Sequence, residues 1–311
     1  MAIVSMIIIG NSCKEVMSSP PILTTSTLSD IAITTALGGG TITSNGSSEV
    51  TQRGVCWNSN TTPTIADNKT IDGSGKGNFI SNITGLKPNT EYHLRAYATN
   101  SVGTGYGHEV VLVTYGLEDI SGNRYHYLTI GTQLWMKENL KVTKYRDGSD
   151  IPNVTKASDW VILSTGAYCN FNNDAQNVGI YGRVYNWFAV ADPRNVCPVG
   201  WHVPSIDEWD ILTNSLGGAT IAGGKMKSTG TFQGGDGLWY SPNTGATNSS
   251  GFTGLPGGGR GDVSEFNDIH SYANWWASDM GQFIHLQDTH TDIEISGNYS
   301  TNGKYVRCVK D

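Results

Sequence analysis

Hydrophobic and polar positions divide the chain into two stretches of different character. Between residues 22 and 115, short alternating segments recur between turn signals: IAITTALGG (31–39), VTQRGVCWN (50–58), GNFISNITGL (77–86), TEYHLRAYATN (90–100) and GHEVVLVTY (107–115). Segments of this length and spacing predict an all-β, immunoglobulin-like sandwich. From Gly116 onward the regular period weakens, while glycine and aromatic content rises. Two helices are expected there. In GRVYNWFAVAD (182–192), Val184, Trp187, Phe188 and Ala191 share one helical face, and Pro193 stops the run. The second helix is expected near 206–216. Ser205 and Glu208 form a capping box, Trp209, Leu212 and Leu216 make an apolar stripe, and Gly217 and Gly218 end it. The pattern thus predicts a multidomain chain: a leading segment (1–21), an all-β sandwich (22–115) and a loop-rich α+β domain (116–311).

One segment of the first stretch is more specific. Leu86, Pro88, Thr90 and Tyr92 form L-x-P-x-T-x-Y, followed by Arg95, Ala96, Tyr97, Ala98 and Asn100. This resembles the penultimate-strand signature of fibronectin type III domains. The resemblance implies that Tyr92 is a tyrosine-corner residue whose hydroxyl bonds the backbone upstream. Alternation places Tyr92, Leu94 and Ala96 on one side of the strand and His93, Arg95 and Tyr97 on the other. Cys56, next to Trp57 in a strand pattern, is expected to be a buried thiol.

Composition narrows the function class. Charged residues are only 15% of the 311, the formal net charge is −7, and glycine is abundant at 39. With 10% aromatic residues there is enough apolar bulk for a core, so the low charge reads as a loop-rich extracellular protein rather than a disordered one. No Lys/Arg run or basic stripe occurs, so a nucleic-acid partner is not expected. The start, MAIVSMIIIGNSCKE, sets a short apolar run and small residues before Cys13. This resembles the end of a bacterial lipoprotein signal peptide, implying export and lipidation of Cys13 at the outer membrane; Gly10 at position −3 and the lack of an early Lys/Arg depart from the pattern. The run is too short for a membrane-spanning helix, so a lipid anchor is the expected membrane contact. Beyond Cys13 there are Cys56, Cys169, Cys197 and Cys308, without a CxxC spacing; four cysteines allow three full pairings, and the sequence alone selects none.

The blocks of the second stretch come in a distinctive order: DISGNRYHYLTIGTQLWMKENL, AYCNFNND, YGRVYNWFAVAD, NVCPVGWHVPSIDEW, GFTGLPGGGRG, YANWWASD and KYVRCVKD. Together they resemble the Fibrobacter succinogenes major paralogous domain over essentially all of 117–311. That family occurs in secreted and surface proteins. The resemblance implies a fold like that of C-type lectins and the formylglycine-generating enzyme, with no defined molecular function. It also implies a disulfide between Cys197, just before the second helix, and Cys308, in the last strand, which leaves Cys169 free or paired with Cys56 across the two domains.

No catalytic set emerges. The seven histidines include no HExxH, and GxSxG is absent. His202, between Trp201 and Val203, reads as a packed structural histidine. FNNDAQN (171–177) lacks the spaced carboxylates of a calcium loop and reads as a turn, so neither metal nor cofactor is expected. Arg260-Gly261-Asp262 is a tripeptide that arises readily by chance. The polar and aromatic stretch 262–305 is different: its residue types are those of adaptable binding surfaces. Its expected ligand face comprises Phe266, Asn267, His270, Tyr272, Asn274, His285, Gln287, Asp288 and His290. The expectation is therefore a monomeric, lipid-anchored, adhesin-like surface protein that binds an extracellular protein or glycan and is not an enzyme. The position of this stretch also suits diversification by a retroelement. The rivals are an enzyme or enzyme relic of the formylglycine-generating type and a purely structural surface module.

Overall fold

The computed structural model describes residues 18–261, 263, 265–297 and 300–311; Cys13 lies outside the described residues. The chain splits into two compact units, one ending at Thr114 and the other running from Tyr115 to Asp311.

The first unit is a β-sandwich. One sheet has the order β1 (Ile22–Thr25), β2 (Ala36–Ser44), β5 (Gly77–Ile83). The other pairs β4 (Asn68–Lys69) with β3 (Gln52–Asn58), and β3 with β6 (Glu91–Thr99), which also takes β7 (Thr104–Tyr106) and β8 (Val110–Val113). Leu23, Ile42, Val55, Phe79, Ile83, Leu94 and Ala96 fill the space between them. Tyr92, Leu94 and Ala96 do share the inner side of β6. The Tyr92 hydroxyl accepts from the Lys87 backbone N–H at 3.0 Å, a tyrosine-corner bond that fastens the loop before β6. Gly40 marks where the sheets touch: a methyl there would stand 2.7 Å from the Ala96 side chain. Cys56 is a buried free thiol, and burial raises its pKa to about 11.

The second unit is β-rich with short helices. Its first hairpins are β9 (Leu117–Glu118) with β10 (Arg124–Tyr125), and β11 (Tyr127–Ile130) with β12 (Gln133–Met136). After α1 (Ala157–Trp160) come β13 (Tyr168–Cys169), α2 (Gln176–Tyr181), β14 (Val184–Asn186), α3 (Trp187–Val190), β15 (Trp201–His202), α4 (Ile206–Ser215) and α5 (Ala219–Met226). Then follow β16 (Gly257–Arg260), β17 (Phe266–Ile269), β18 (Tyr272–Trp276), β19 (Gln282–Gln287), β20 (Glu294–Gly297), β21 (Gly303–Lys304) and β22 (Val309–Lys310). A small sheet runs β11-β12-β22-β15, and a large one β13-β14-β21-β16-β18-β19-β20, with β17 on β16.

Helix α4 has the expected start. The Ser205 hydroxyl accepts from Glu208 N–H at 3.3 Å and the Glu208 carboxylate accepts from Ser205 N–H at 2.9 Å. Its stripe places Trp209 and Leu212 in a core with Trp135, Trp239, Phe252 and Trp275. The expectation of one helix over 182–192 is corrected. Val184–Asn186 is a strand between β13 and β21, and only Trp187–Val190 is helical. Asn186 makes the break: its side-chain oxygen accepts from Ala189 N–H at 3.1 Å, so the helix begins after it. Helix α5 was not expected, because Gly223 and Gly224 lower helix propensity.

Cys197 and Cys308 form a disulfide with Cα atoms 6.1 Å apart, tying the approach to α4 to the segment between β21 and β22. Cys169 is a buried free thiol. Three buried cations are used structurally. Arg260 donates to the Val154 and Thr155 carbonyls, so the arginine of the RGD tripeptide is not presented. Arg307 donates to Asn139 and, through Nη1, to the Phe252 carbonyl. Lys227 donates to the carbonyls of Thr244, Gln287 and His290 at 2.7–2.9 Å, fixing the turn after β19.

Candidate binding face of the second unit

Strand alternation sorts the large sheet into two sides. Ala273, Trp275, Ile284 and Leu286 point into the core shared with α4. Register sets Tyr272 opposite Gln287, Asn274 opposite His285, Trp276 opposite Phe283, and His285 opposite Glu294 on the other side. Near β14 and β21 that side is covered by a second core, which includes Tyr185, Trp276 and Val306. Over β18–β20 it carries Tyr272, Phe283, His285 and Gln287, all half-buried, and the exposed Glu294.

These side chains form a connected set. Gln287 donates its amide to the Tyr272 hydroxyl. The Tyr272 and His285 rings lie 5.8 Å apart, and those of His285 and Phe283 5.9 Å. His285 Nε2 is 2.8 Å from the Glu294 carboxylate, while its Nδ1 is buried without a hydrogen-bond partner among the described residues. Burial, together with the negative charges of Asp268, Asp288 and Glu294, raises the Tyr272 pKa above the usual tyrosine value. The rim is therefore acidic.

Lys304 lies at the base of this set. It is 8% exposed, and its Nζ sits 4.5 Å above the Phe283 ring. Burial lowers its pKa to about 8, with Asp268 acting in the opposite direction. The glycine strand β16 leaves the amine uncovered on one side: a methyl at Gly259 would stand 3.5 Å from Nζ and 2.8 Å from the Gly303 carbonyl oxygen. Gly258 has φ +64°, and a methyl there would stand 2.1 Å from the Asn267 carbonyl oxygen, so the run has a steric cause.

The expected face residues are placed unevenly. Tyr272, His285 and Gln287 come together as described. Asn274 is corrected: it shares their side but is only 4% exposed, drawn down by a 3.0 Å bond from its amide to the Gly258 carbonyl. Phe266 turns partly inward against Phe171, with ring centroids 5.3 Å apart, and beneath the Arg260 guanidinium. Asn267 is exposed on β17. His270, at φ 69°, donates to the Leu238 carbonyl at 2.6 Å. Its ring lies 4.3 Å from Phe232 and 5.1 Å from Tyr240, a separate aromatic cluster. Asp288 and the exposed His290 belong to the turn held by Lys227. Phe283, Glu294 and Lys304 were missed. Alternation along QFIHLQ puts Phe283 on the same side as His285 and was the signal that could have found it; nothing in KY distinguishes Lys304 from a solvated lysine.

A cavity of about 310 Å³ lies elsewhere, beside Cys197, lined by Leu117, Ile120, Val142, Val196 and Pro198. Its charged groups are committed to the fold. Arg146 donates to the carbonyls of Cys197, Pro198 and Trp201, Asp119 accepts from Tyr125 and Asn123, and Glu118 pairs with Arg124. Among the described residues there is no cluster of three His, Cys, Asp or Glu suited to a metal, and no helix is long and apolar enough to cross a membrane.

The sequence profile of the Fibrobacter succinogenes major domain matches residues 128–310, more than half of the chain. The chain belongs to this family. The major domain accounts for the whole face and the disulfide. The first unit is similar to solved sandwiches of other proteins. One is the sensor domain of the anti-sigma factor RsgI4 of Pseudobacteroides cellulosolvens, at 18% identity over 32% of this chain and 98% of that one, TM-score 0.25. Another is the fibronectin type III domain of human fibronectin type III domain containing protein 3, at 19% identity over 31% of this chain and 88% of that one, TM-score 0.23. No curated protein matches the chain.

Proposed function

We propose that the protein is a non-enzymatic surface ligand-binding module of the adhesin type, in which the fibronectin type III-like sandwich presents a C-type-lectin-like major domain. In this reading the chain is exported and held at the outer membrane by a lipid on Cys13. One observation carries the binding assignment: Tyr272, Phe283, His285, Gln287 and Glu294 form a continuous, partly open side of the large sheet, backed by a rigid core. Half-buried aromatic rings beside adaptable amides give contact area at low entropic cost. In this reading the face lies on strands between the GGGR strand and the disulfide, and diversification by a retroelement would act on its outward positions while the inward ones stay fixed. The test is binding to an array of glycans and purified surface proteins, comparing wild type with Tyr272→Ala and with His270→Ala. Loss of at least tenfold with Tyr272→Ala supports the reading, ~1.4 kcal/mol of binding energy. Unchanged affinity with Tyr272→Ala removes this face; His270→Ala, in the separate cluster with Phe232 and Tyr240, reports whether that patch takes part.

A further inference from the structure

Buried polar groups are normally hydrogen-bonded, because an unmet donor or acceptor costs desolvation without return. Arg260, Arg307 and Lys227 obey this rule through backbone carbonyls and Asn139. Lys304 does not. It is 8% exposed, against 0–1% for the other three, and its Nζ makes no hydrogen bond or ion pair among the described residues. It is covered by the Phe283 ring on one side and bordered by the bare backbone of Gly259 on another. On β19, two residues from Phe283, His285 Nδ1 is buried without a partner among the described residues.

We propose that Lys304 is the recessed donor of a site for a neutral sugar on the face described above, taking a sugar hydroxyl or ring oxygen as its acceptor. The inference rests on the ligand-binding reading and adds the class of ligand. The floor of the site offers the Lys304 N–H donors without an acceptor, whereas its rim, at Asp268, Asp288 and Glu294, offers acceptors near Tyr272. A hydroxyl serves both, because it donates and accepts at once. Adjacent hydroxyls on one ring therefore bridge a recessed ammonium and a rim carboxylate. A carboxylated sugar satisfies the amine too, but meets three rim carboxylates, and like charge at this range is unfavourable. The Tyr272 and Phe283 rings give flat apolar area for the C–H side of a pyranose. A protein ligand is the competing occupant, and the test separates it.

The full chain is applied to an array bearing neutral hexose oligosaccharides, their uronate counterparts and purified surface proteins. Neutral oligosaccharides should bind, uronates should bind less, and Lys304→Met should lose roughly tenfold or more, as expected for removing a charged donor. Wild-type affinity in Lys304→Met, a preference for uronates, or binding confined to protein spots overturns the sugar proposal. In those cases loss with Tyr272→Ala leaves the binding face standing, and no loss there removes both. A measurement on the wild type covers the event that Lys304→Met does not fold. Acetylation of Lys304 by an N-hydroxysuccinimide ester is followed by mass spectrometry with and without the bound oligosaccharide. Slowing of Lys304 acetylation, against an unchanged rate at the exposed Lys310, supports the proposal. Equal rates at Lys304 overturn it.

Discussion

Asn139 is the residue whose loss should cost the major domain most for its size. Its side-chain oxygen accepts from Trp275 Nε1 at 2.7 Å, Arg307 Nη2 at 2.8 Å and Arg307 Nε at 3.1 Å. Its amide donates to the Tyr181 carbonyl at 2.8 Å. One short polar side chain thus joins the segment after β12, the end of α2, strand β18 and the segment that carries Cys308. Asn139→Ala leaves three donors and one carbonyl without these partners in the interior. Each orphaned buried group costs about 1–3 kcal/mol, more when charged. Taking the low end for all four gives about 4 kcal/mol, a large part of the roughly 5–15 kcal/mol that holds a typical domain together. Asn139→Asp keeps an acceptor for Arg307 and Trp275 and loses only the donor to Tyr181, so it should cost less than the alanine variant. Urea unfolding followed by tryptophan fluorescence reads this cleanly, because every tryptophan except Trp57 lies in the second unit. A loss below about 1 kcal/mol in Asn139→Ala, or equal losses in the two variants, refutes the orphaned-donor argument.

Two further predictions concern the bracing of the same unit. Reducing the Cys197–Cys308 bridge frees a loop of 111 residues, which the chain-entropy argument values at about 4–5 kcal/mol; urea midpoints with and without reductant should separate accordingly, and coincident curves would be evidence against it. His202 holds the Asp311 carboxylate on Nδ1 at 2.7 Å and that of Glu208 on Nε2 at 2.8 Å. Burial disfavours the imidazolium, but the bonds to Asp311 and Glu208 outweigh it and leave the pKa raised. With the folded value above the unfolded one near 6.5, the stabilisation is fully present below about pH 6.5 and is lost as pH rises through the folded value. The urea midpoint should therefore fall on going from mildly acidic to mildly alkaline buffer, and His202→Gln should flatten that fall; an equal slope in the variant contradicts it.

What the sequence disclosed follows the range of the interactions involved. The capping box at Ser205 and Glu208 is local, and so is the alternation along the sandwich strands, hence both were readable. The break at Asn186 is local as well, but 182–192 carries a helical apolar period that conceals it, and the second strand neighbour, β21, lies more than a hundred residues away. Helix α5 tolerates Gly223 because a methyl there would stand 2.0 Å from the Asp292 carbonyl oxygen, a contact no local window contains. At the face, period two assigned Tyr272 and Asn274 to one side, but depth depends on what β16 leaves open beneath them. No local pattern marks Lys227, Arg260, Lys304 and Arg307 as interior; they are inside because distant carbonyls, rings and glycines make room for them.

The segment from Gly303 to Lys310 belongs to every part of the major domain: β21 closes the large sheet, Tyr305 enters one core and Val306 the other, Arg307 meets Asn139, Cys308 takes the disulfide, and β22 fills the small sheet. Strand β12 pairs with β22 at Trp135 and Val309, positions separated by most of the domain. Contacts of such range form slowly, since the loop between them must be closed first. The sandwich can complete its sheets as soon as its own strands are available, whereas the major domain must wait for its closing segment. Until then its tryptophan-rich interior is exposed to aggregation, so the rate at which this one segment docks sets how long the chain needs protection.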